Sequence, residues 1–230
     1  AFDGGTGAWP RTPAVERAAL LHRVAGLLVR DRERLGLLEI RDAGKTLEEG
    51  RVDIDCVAAA FRYFAGLVAA EAPGRVVDAG TADVHSVVVH DPVGVCALIT
   101  PWNYPVSLLS WKLGPALATG CTVVVKPTSV TPKSPSAFCE ALVEGGIPAG
   151  VISVLNGSGS KLGEALLRHP LVEKVAMTGS TEVGKRLMEV FAPKLKKISL
   201  ELGGQCPAIV CADADLDNAA TVIAYKGFRN

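Results

Sequence analysis

The sequence predicts an α/β fold in which a parallel sheet is doubly wound, with helices on both of its faces. Beyond residue 94, short β-rich runs alternate with helical runs, and this alternation is typical of repeated strand–helix–strand units. The chain has 230 residues, of which 49% are hydrophobic, so it contains enough apolar side chains for a sizeable core. The same composition argues against a disordered chain.

The charge balance argues against two classes of partner. The 24 basic and 24 acidic residues cancel, and the basic residues form no stripe beyond Lys194, Lys196 and Lys197. Nucleic-acid binding needs such a stripe, and a membrane span needs roughly 18 consecutive apolar residues, which this sequence does not contain. We therefore predict neither a nucleic-acid partner nor a membrane-spanning segment.

Helices are predicted over residues 12–43 and from about 47 to 70. Leucine and valine recur with a helical period over residues 12–43, where Thr12 is the expected N-cap and Asp31 is expected to begin a second helix. A third helix is predicted from about 47 to 70, because the turn residues Ala72-Pro73-Gly74 follow it.

An extended arm is predicted next, over residues 84–89, and a turn follows at Asp91-Pro92. Five strands are then predicted at 94–100, 122–126, 151–155, 174–177 and 198–200. Helices are predicted between them, near 105–118, 133–145, 160–168 and 181–192.

Polar and glycine-rich segments follow all five of these strands. In a doubly wound sheet, ligands bind at the carboxyl ends of the strands. The segments are Thr-Pro-Trp-Asn at 100–103, Lys-Pro-Thr-Ser at 126–129, Asn-Gly-Ser-Gly at 156–159, Thr-Gly-Ser-Thr at 178–181 and Glu-Leu-Gly-Gly at 201–204. We expect the functional residues among them.

Two of these segments suit a phosphate group. Residues 157–163 open a helix after a strand, but their G-x-G-x-x-x-G spacing is one residue longer than the usual dinucleotide-binding pattern, and a plain turn would explain them equally well. Ser180 begins the next helix, where it can cap the helix and also donate to a phosphate; the alternative is a cap without a ligand.

Three further side chains each have a chemical and a structural interpretation. Lys126 ends an apolar strand, where its ammonium either binds a ribose or phosphate or extends into solvent. Asn103 can stabilise a developing oxyanion or bond within its own turn. Glu201, among apolar residues and next to two glycines, can act as a general base or remain an ordinary carboxylate.

The six cysteines show no metal-ligand spacing, and no metal site is predicted. A chain of this class without a secretory pattern is expected to be cytoplasmic, with reduced thiols. Cys206 lies beside a candidate segment, but no base neighbours it in sequence, so a structural thiol is the favoured interpretation.

Taken in order, these motifs closely resemble the aldehyde dehydrogenase superfamily over nearly the whole chain. The resemblance is carried by Pro-Trp-Asn-Tyr-Pro at 101–105, by Ala-Leu-Ala-Thr-Gly-Cys-Thr at 116–122 leading into Lys-Pro at 126–127, and by the segments at 157–159, 178–181 and 200–204. It implies a Rossmann-like fold of the aldehyde dehydrogenase type, with N-terminal helices and part of an oligomerisation ribbon. It also implies NAD(P)+-dependent oxidation of an aldehyde to a carboxylic acid, through a thiohemiacetal and a thioester on a cysteine.

The resemblance implies a role for individual residues. Asn103 matches the residue that holds the oxyanion, and Glu201 matches the general base. The substrate tunnel is implied at Tyr104, Leu108 and Trp111. The cofactor-binding positions that the resemblance implies are Thr100, Pro101, Trp102, Lys126, Ser129, Gly159, Gly163, Thr178, Gly179, Ser180, Leu202 and Gly203.

The two ends of the chain suggest a piece of a longer protein. Phe228-Arg229-Asn230 matches the start of the family pattern F-x-N-x-G-Q-x-C, so the catalytic cysteine is expected beyond residue 230, and the piece alone is expected to be inactive. By resemblance, residues 1–74 and 93–204 form the NAD(P)-binding domain, 75–92 belong to the ribbon, and 205–230 begin the catalytic domain. The intact protein is expected to be a homodimer or homotetramer.

Cofactor and substrate are less tightly specified. Members that prefer NAD usually carry Glu where this chain has Ser129, and loss of that charge predicts that NADP is tolerated, with a preference for it left open. The aromatic residues Tyr104 and Trp111 are similar to those of aminoaldehyde and betaine aldehyde members, whose aromatic faces bind a cation. Semialdehyde members look alike here, and both rings could simply pack a helix. A stand-alone nucleotide-binding or assembly module without catalysis remains the alternative function.

Overall fold

A parallel five-stranded sheet forms the centre of the molecule in the computed structural model, which describes residues 1–70, 74–81 and 83–229. The strands are β1 (Gly74–Val77), β2 (Ser86–Val89), β3 (Val95–Ile99), β4 (Thr122–Lys126), β5 (Ile152–Val154), β6 (Val172–Thr178) and β7 (Lys197–Glu201). The helices are α1 (Ala8–Arg11), α2 (Ala14–Arg30), α3 (Arg32–Ala43), α4 (Leu47–Ala70), α5 (Pro105–Ala118), α6 (Lys133–Glu144), α7 (Gly159–Arg168), α8 (Thr181–Phe191) and α9 (Leu216–Gly227).

The strand order confirms the predicted fold class. The large sheet runs β5-β4-β3-β6-β7, and every neighbouring pair in it is parallel. Within the large sheet, β3 is the first strand and lies at the centre. The chain then adds β4 and β5 on one side of β3 and returns to add β6 on the other side. This reversal leaves a crevice at the carboxyl ends of β3 and β6.

Helices cover both faces of the sheet because successive strand residues point to opposite sides. On one face, Leu98 and Val125 join a core with Trp9, Phe61 and Phe138 from the helical layer, which comprises α1, α2, α4, α5 and α6. On the other face, residues of β3 and β6 pack against α7 and α8 in a smaller core. The two rings Phe61 and Phe138 meet edge to face, with centroids 5.6 Å apart.

The N-terminal helices differ from the prediction at their ends. Thr12 does not cap α2: it follows α1, and its Oγ1 donates to the Ala8 carbonyl at 3.0 Å, so Pro13 precedes the first residue of α2. Asp31 does separate α2 from α3, but its carboxylate binds Arg30 and Arg34 instead of capping the helix. The ion pairs compete successfully with the backbone N–H groups for the same oxygens.

The segment between α4 and β3 forms a ribbon that the sequence predicted only in part. Strands β1 and β2 pair antiparallel, with Gly74 opposite Val89, whereas only the second strand was predicted as extended. Val76 and Val87 are exposed on this ribbon. The predicted helix at 47–70 is confirmed by α4, whereas Ala72 and Pro73 of the predicted turn lie outside the described residues. The role of the ribbon in oligomerisation stays a prediction.

The segment after β7 contacts little of the rest of the chain. Asp215 caps α9, since its carboxylate accepts from the Asn218 N–H at 3.1 Å, but no residue of α9 is buried. The predicted boundary at 204/205 is not tested by this arrangement, and Asn230 lies outside the described residues. Within the described ranges, no helix combines the length and apolar character that crossing a bilayer requires.

Candidate functional site

A cleft of about 750 Å³ opens at the carboxyl edge of the large sheet. It lies at the point where the winding direction of the chain reverses, as expected for a doubly wound sheet. The loops that follow β3, β4, β6 and β7 form one part of its wall, and the facing sides of α7 and α8 form the other. Its volume falls within the range of small-molecule and cofactor sites, roughly 300–1,000 Å³.

The cleft brings together all the catalytic and cofactor-binding positions that the sequence singled out. These are Thr100, Pro101, Trp102, Asn103, Lys126, Ser129, Gly159, Gly163, Thr178, Gly179, Ser180, Glu201, Leu202 and Gly203. Their shared position is a geometric finding, and the roles assigned to them stay predictions. The three residues predicted for a substrate tunnel, Tyr104, Leu108 and Trp111, do not line this cleft.

Lys126 is the cation at the floor of the cleft. It is the last residue of β4 and only 3% exposed, and its ammonium donates to the carbonyl of the next residue, Pro127. Burial lowers the pKa of this lysine because the charged form loses hydration. An ammonium has three donors, so hydroxyl or anionic oxygens of a ligand can satisfy the donors that Pro127 does not use.

Two helix N-termini face the same space. Ser180 precedes α8 and caps it as predicted, since its Oγ accepts from the Val183 N–H at 3.4 Å. Gly159 begins α7, and a Cβ built at Gly159 or Gly163 would meet no atom within 4 Å. The backbone at these glycines is therefore open to close approach by a ligand, and free N–H groups at helix N-termini bind phosphate.

Glu201 and Asn103 approach the cleft from two different strands. Glu201 ends β7, and Asn103 lies half-buried in the loop between β3 and α5. Glu201 is exposed, which corrects the apolar surroundings that the sequence suggested, because β7 is an edge strand and residues 202–218 after it are exposed as well.

Lys112 is a residue of this region that sequence reasoning missed. Its ammonium donates to Thr178 Oγ1 at 2.5 Å and lies close enough to Glu201 for charge attraction. Burial lowers the pKa of Lys112, and the attraction of Glu201 opposes part of that effect. The sequence does contain a feature that could have identified this residue, because Lys112 is the only charged residue in the sequence of α5.

A buried charge cluster lies behind Tyr104. The Lys45 ammonium contacts Asp53 and lies 3.5 Å from Glu39 Oε1, and all three side chains are at least nine-tenths buried. The same ammonium lies 3.9 Å from the centre of the Tyr104 ring. Burial raises the pKa of Glu39. The Lys45 ammonium therefore contacts the Tyr104 ring from the charge cluster of Glu39 and Asp53.

The cysteines take no part in the cleft. All six are free thiols; Cys96, Cys121 and Cys139 are buried, whereas Cys56, Cys206 and Cys211 are exposed. Cys206, the one cysteine weighed as a nucleophile, does not line the cleft. Among the described residues, no group of three or more histidine, cysteine or carboxylate side chains could hold a metal ion.

Comparison with known proteins identifies relatives over the full chain. The model of the aldehyde dehydrogenase family matches residues 1–230. A mitochondrial succinate-semialdehyde dehydrogenase of Arabidopsis thaliana is 43% identical over 96% of this chain and 42% of its own length.

Solved structures agree with the sequence match. A betaine aldehyde dehydrogenase double mutant of Staphylococcus aureus, solved with NAD+, superposes with a TM-score of 0.94 at 40% identity, over 99% of this chain and 45% of that one. An NADP-dependent enzyme of Escherichia coli gives a TM-score of 0.93 at 42% identity, over 96% of this chain and 46% of that one. The chain thus spans less than half the length of these relatives.

Proposed function

The chain belongs to the aldehyde dehydrogenase family, and from that premise we propose that it supplies the cofactor-binding part and two catalytic groups of an NAD(P)+-dependent aldehyde dehydrogenase. The observation that carries this proposal is the convergence of Lys126, Ser180, Asn103 and Glu201 on one cleft from four separate strand ends. The product is a carboxylic acid, and the nucleophile is a cysteine that follows residue 230 in the intact protein.

The cleft fits a nicotinamide dinucleotide. The open space above Gly159 and Gly163, and the capped N-terminus of α8 at Ser180, suit a pyrophosphate. The spare donors of the buried Lys126 suit ribose hydroxyls. When bound, the nicotinamide ring accepts the hydride from the substrate.

Asn103 and Glu201 act on the substrate carbon and on water, respectively. The Asn103 side-chain amide donates to the oxygen that becomes negative when the thiolate adds to the aldehyde. The Glu201 carboxylate later takes a proton from the water that attacks the thioester. Lys112 acts as a positioning residue, because its ammonium donates to Thr178 Oγ1 and attracts the Glu201 carboxylate.

Ser129 supports use of NADP as well as NAD. It lines the cleft three residues after Lys126, where a neutral side chain does not repel a ribose 2′-phosphate. The similar Staphylococcus aureus enzyme was solved with NAD+, and the Escherichia coli relative is NADP-dependent. We therefore propose that both cofactors bind.

The substrate is proposed to be a small aldehyde of the aminoaldehyde or semialdehyde class. The ring of Tyr104 is held on one side by the Lys45 ammonium, and Trp111 is 59% exposed. Relatives named for betaine aldehyde and for succinate semialdehyde are both about 40% identical to this chain, which keeps both classes in the proposal.

We further propose a cytoplasmic homo-oligomer. Six free thiols suit a reducing compartment, although the Arabidopsis relative is named as mitochondrial. The exposed valines of the β1–β2 ribbon suit contact with a second subunit.

The function is tested by Glu201→Gln in the intact protein. The amide keeps the size of the side chain but cannot accept the proton. We therefore expect a burst of reduced cofactor in the first turnover, followed by steady-state turnover that is slower by at least about a hundredfold. Rapid-mixing absorbance at the reduced-nicotinamide band measures both phases with a panel of amino- and semialdehydes.

Glu173→Gln is the matched control, because Glu173 is an exposed carboxylate on the neighbouring strand β6 that does not line the cleft. An unchanged steady-state rate in Glu201→Gln would remove Glu201 from the general-base role. If the wild-type protein binds the dinucleotide but gives no burst with any aldehyde, the alternative of a nucleotide-binding module without catalysis is favoured.

A further inference from the structure

Glu39, Lys45 and Asp53 form a buried charge cluster that does not line the cleft. Their side chains are at most 4% exposed. Burying charges is costly, and replacement of a buried ion pair by apolar residues of similar volume is often neutral or even stabilising. Stability alone is therefore a weak explanation for three enclosed charges, and their contacts with the rest of the chain indicate a further role.

The cluster is assembled from three consecutive segments of the helical layer. Glu39 lies in the second half of α3, Asp53 lies in the first half of α4, and Lys45 lies in the loop between these helices. The Lys45 ammonium contacts the Asp53 carboxylate and lies 3.5 Å from Glu39 Oε1. One cation thus joins α3 to α4.

The same cluster contacts the beginning of α5 at two residues. The Lys45 ammonium lies 3.9 Å from the centre of the ring of Tyr104, the residue that precedes α5. Burial raises the pKa of Glu39, and the nearby backbone N–H of Val106, the second residue of α5, opposes part of that effect. A carboxylate at a helix N-terminus is a favourable arrangement. Cation and carboxylate together hold the first turn of α5.

This turn determines where the Asn103 amide lies, because Asn103 immediately precedes Tyr104. In the part of the chain that the structure describes, no hydrogen bond orients the Asn103 side chain itself. The Tyr104 carbonyl accepts from the Leu108 N–H at 3.0 Å, so its backbone is tied to α5. The direction in which Asn103 leaves the chain therefore depends on how firmly Tyr104 is held.

We propose that Lys45 is a positioning residue of the reaction, which holds the Tyr104 ring and thereby fixes the backbone that carries Asn103 into the cleft. Glu39 and Asp53 keep the ammonium in place. The inference rests on the proposed function, since it requires that Asn103 stabilise the oxyanion. It deepens that function by adding a residue that touches neither the substrate nor the cofactor.

The test is Lys45→Met in the intact protein, which removes the cation and keeps a long side chain. Rapid mixing at saturating NAD+ and aldehyde measures the first-turnover rate, defined as the rate constant for formation of reduced cofactor in the first turnover. We expect this rate to fall at least about tenfold, because a displaced catalytic donor stabilises the oxyanion less well. The affinity for NAD+, measured by isothermal titration calorimetry, should change less than about twofold.

Arg51→Met is the matched control. Arg51 also joins α3 to α4, through an ion pair with Glu33 at 2.8 Å, but this pair lies outside the cluster. The first-turnover rate of Arg51→Met should equal that of the wild-type protein. Circular dichroism verifies that the variants are folded.

A double-mutant cycle identifies the residue through which Lys45 acts. Asn103→Ala should lower the first-turnover rate about a hundredfold. If Lys45 acts by placing the Asn103 amide, adding Lys45→Met to Asn103→Ala should lower the rate by less than about twofold further. Losses that multiply in the double variant would assign Lys45 a role independent of Asn103 and overturn the proposal.

A neutral version of the cluster separates positioning from stability. Lys45→Met leaves Glu39 and Asp53 buried without a cation, which destabilises a fold. The triple variant Glu39→Gln, Lys45→Met and Asp53→Asn removes all three charges, and it too lacks the cation beside Tyr104. Its first-turnover rate should match that of Lys45→Met to within about threefold. A folded triple variant with the wild-type rate would show that packing alone positions Tyr104, and the proposal would be wrong.

The remaining outcomes distinguish the inference from the function on which it rests. If Asn103→Ala is slow and Lys45→Met is not, the positioning role is wrong and the proposed function stands. A Lys45→Met variant that changes only the aldehyde concentration for half-maximal rate places Tyr104 in substrate binding and also overturns the positioning role. A wild-type protein that reduces the cofactor with no aldehyde of the panel, or an Asn103→Ala variant with the wild-type rate, contradicts the proposed function and the inference together.

Discussion

Two lysines of this molecule are buried, and the partners of their ammonium groups indicate different roles. Lys45 is enclosed with Asp53 and Glu39, so its charge is matched inside the protein and holds the Tyr104 ring. Lys126 is equally enclosed, but its ammonium donates to the carbonyl of the neighbouring Pro127. A buried cation with donors to spare is the kind that a ligand completes.

Cofactor preference is a residue-scale property that Ser129→Glu tests. The new carboxylate would face a ribose 2′-phosphate, so we expect NADP+ to bind at least about tenfold more weakly, a loss of roughly 1.4 kcal/mol, while NAD+ binding changes little. Fluorescence titration with both cofactors measures the change, and Ser129→Thr is the neutral control. Wild-type protein that already binds NADP+ more than about tenfold more weakly than NAD+ would contradict the proposed tolerance.

The sequence located the residues at strand ends better than those on helix faces. Asn103, Lys126 and Glu201 each follow a short apolar run, so local periodicity was enough to place them at one edge of the sheet. Glu164 and Arg186 face each other only because two separate helices pack side by side. That juxtaposition depends on tertiary packing, which no local pattern contains.

Among the elements, α3 and α4 approach each other through glycine. A Cβ at Gly50 would lie 2.8 Å from the Gly36 carbonyl oxygen and 2.9 Å from Ile40 Cγ1. The two helices therefore pack more closely than larger residues would allow. Both glycines are buried, and the arrangement fixes α3 against the helix that carries Asp53.

Gly50→Ala tests this close approach. The added methyl group must displace backbone, so we expect the free energy of unfolding to fall by about 1–3 kcal/mol. Gly66→Ala, in the same helix where a Cβ would meet nothing within 4 Å, is the control and should raise stability by up to about 1 kcal/mol. Urea denaturation followed by circular dichroism measures both; equal effects of the two substitutions would refute the close-packing argument.

Helix centres were predictable and helix ends were less so. The period of apolar residues located the bodies of α2 through α8, but Thr12 and Asp31 use their side chains for other partners than the expected caps. The end of α3 depends on Gly44, which adopts a left-handed φ of 78° while its N–H donates to the Ile40 carbonyl. Competition among several possible partners decides these ends.

At the scale of the whole molecule, the ribbon of β1 and β2 exposes valines on a two-stranded sheet. Light scattering on the intact protein should give a mass at least twice that of one subunit, because exposed valines on an edge favour a partner. Val76→Lys with Val87→Lys should lower that mass, whereas Val15→Lys, at an equally exposed valine of α2, should not. A monomeric wild-type protein would contradict the proposed oligomer.

The order of strands in the sheet also affects the stage of folding at which the cleft can form. Val95 of β3 pairs with Val172 of β6, and two other strands and three helices lie between these two strands in the sequence. Pairings between positions so distant in sequence form slowly during folding. A dinucleotide therefore has no site on the early, partly folded chain, and we expect it to slow unfolding without accelerating refolding.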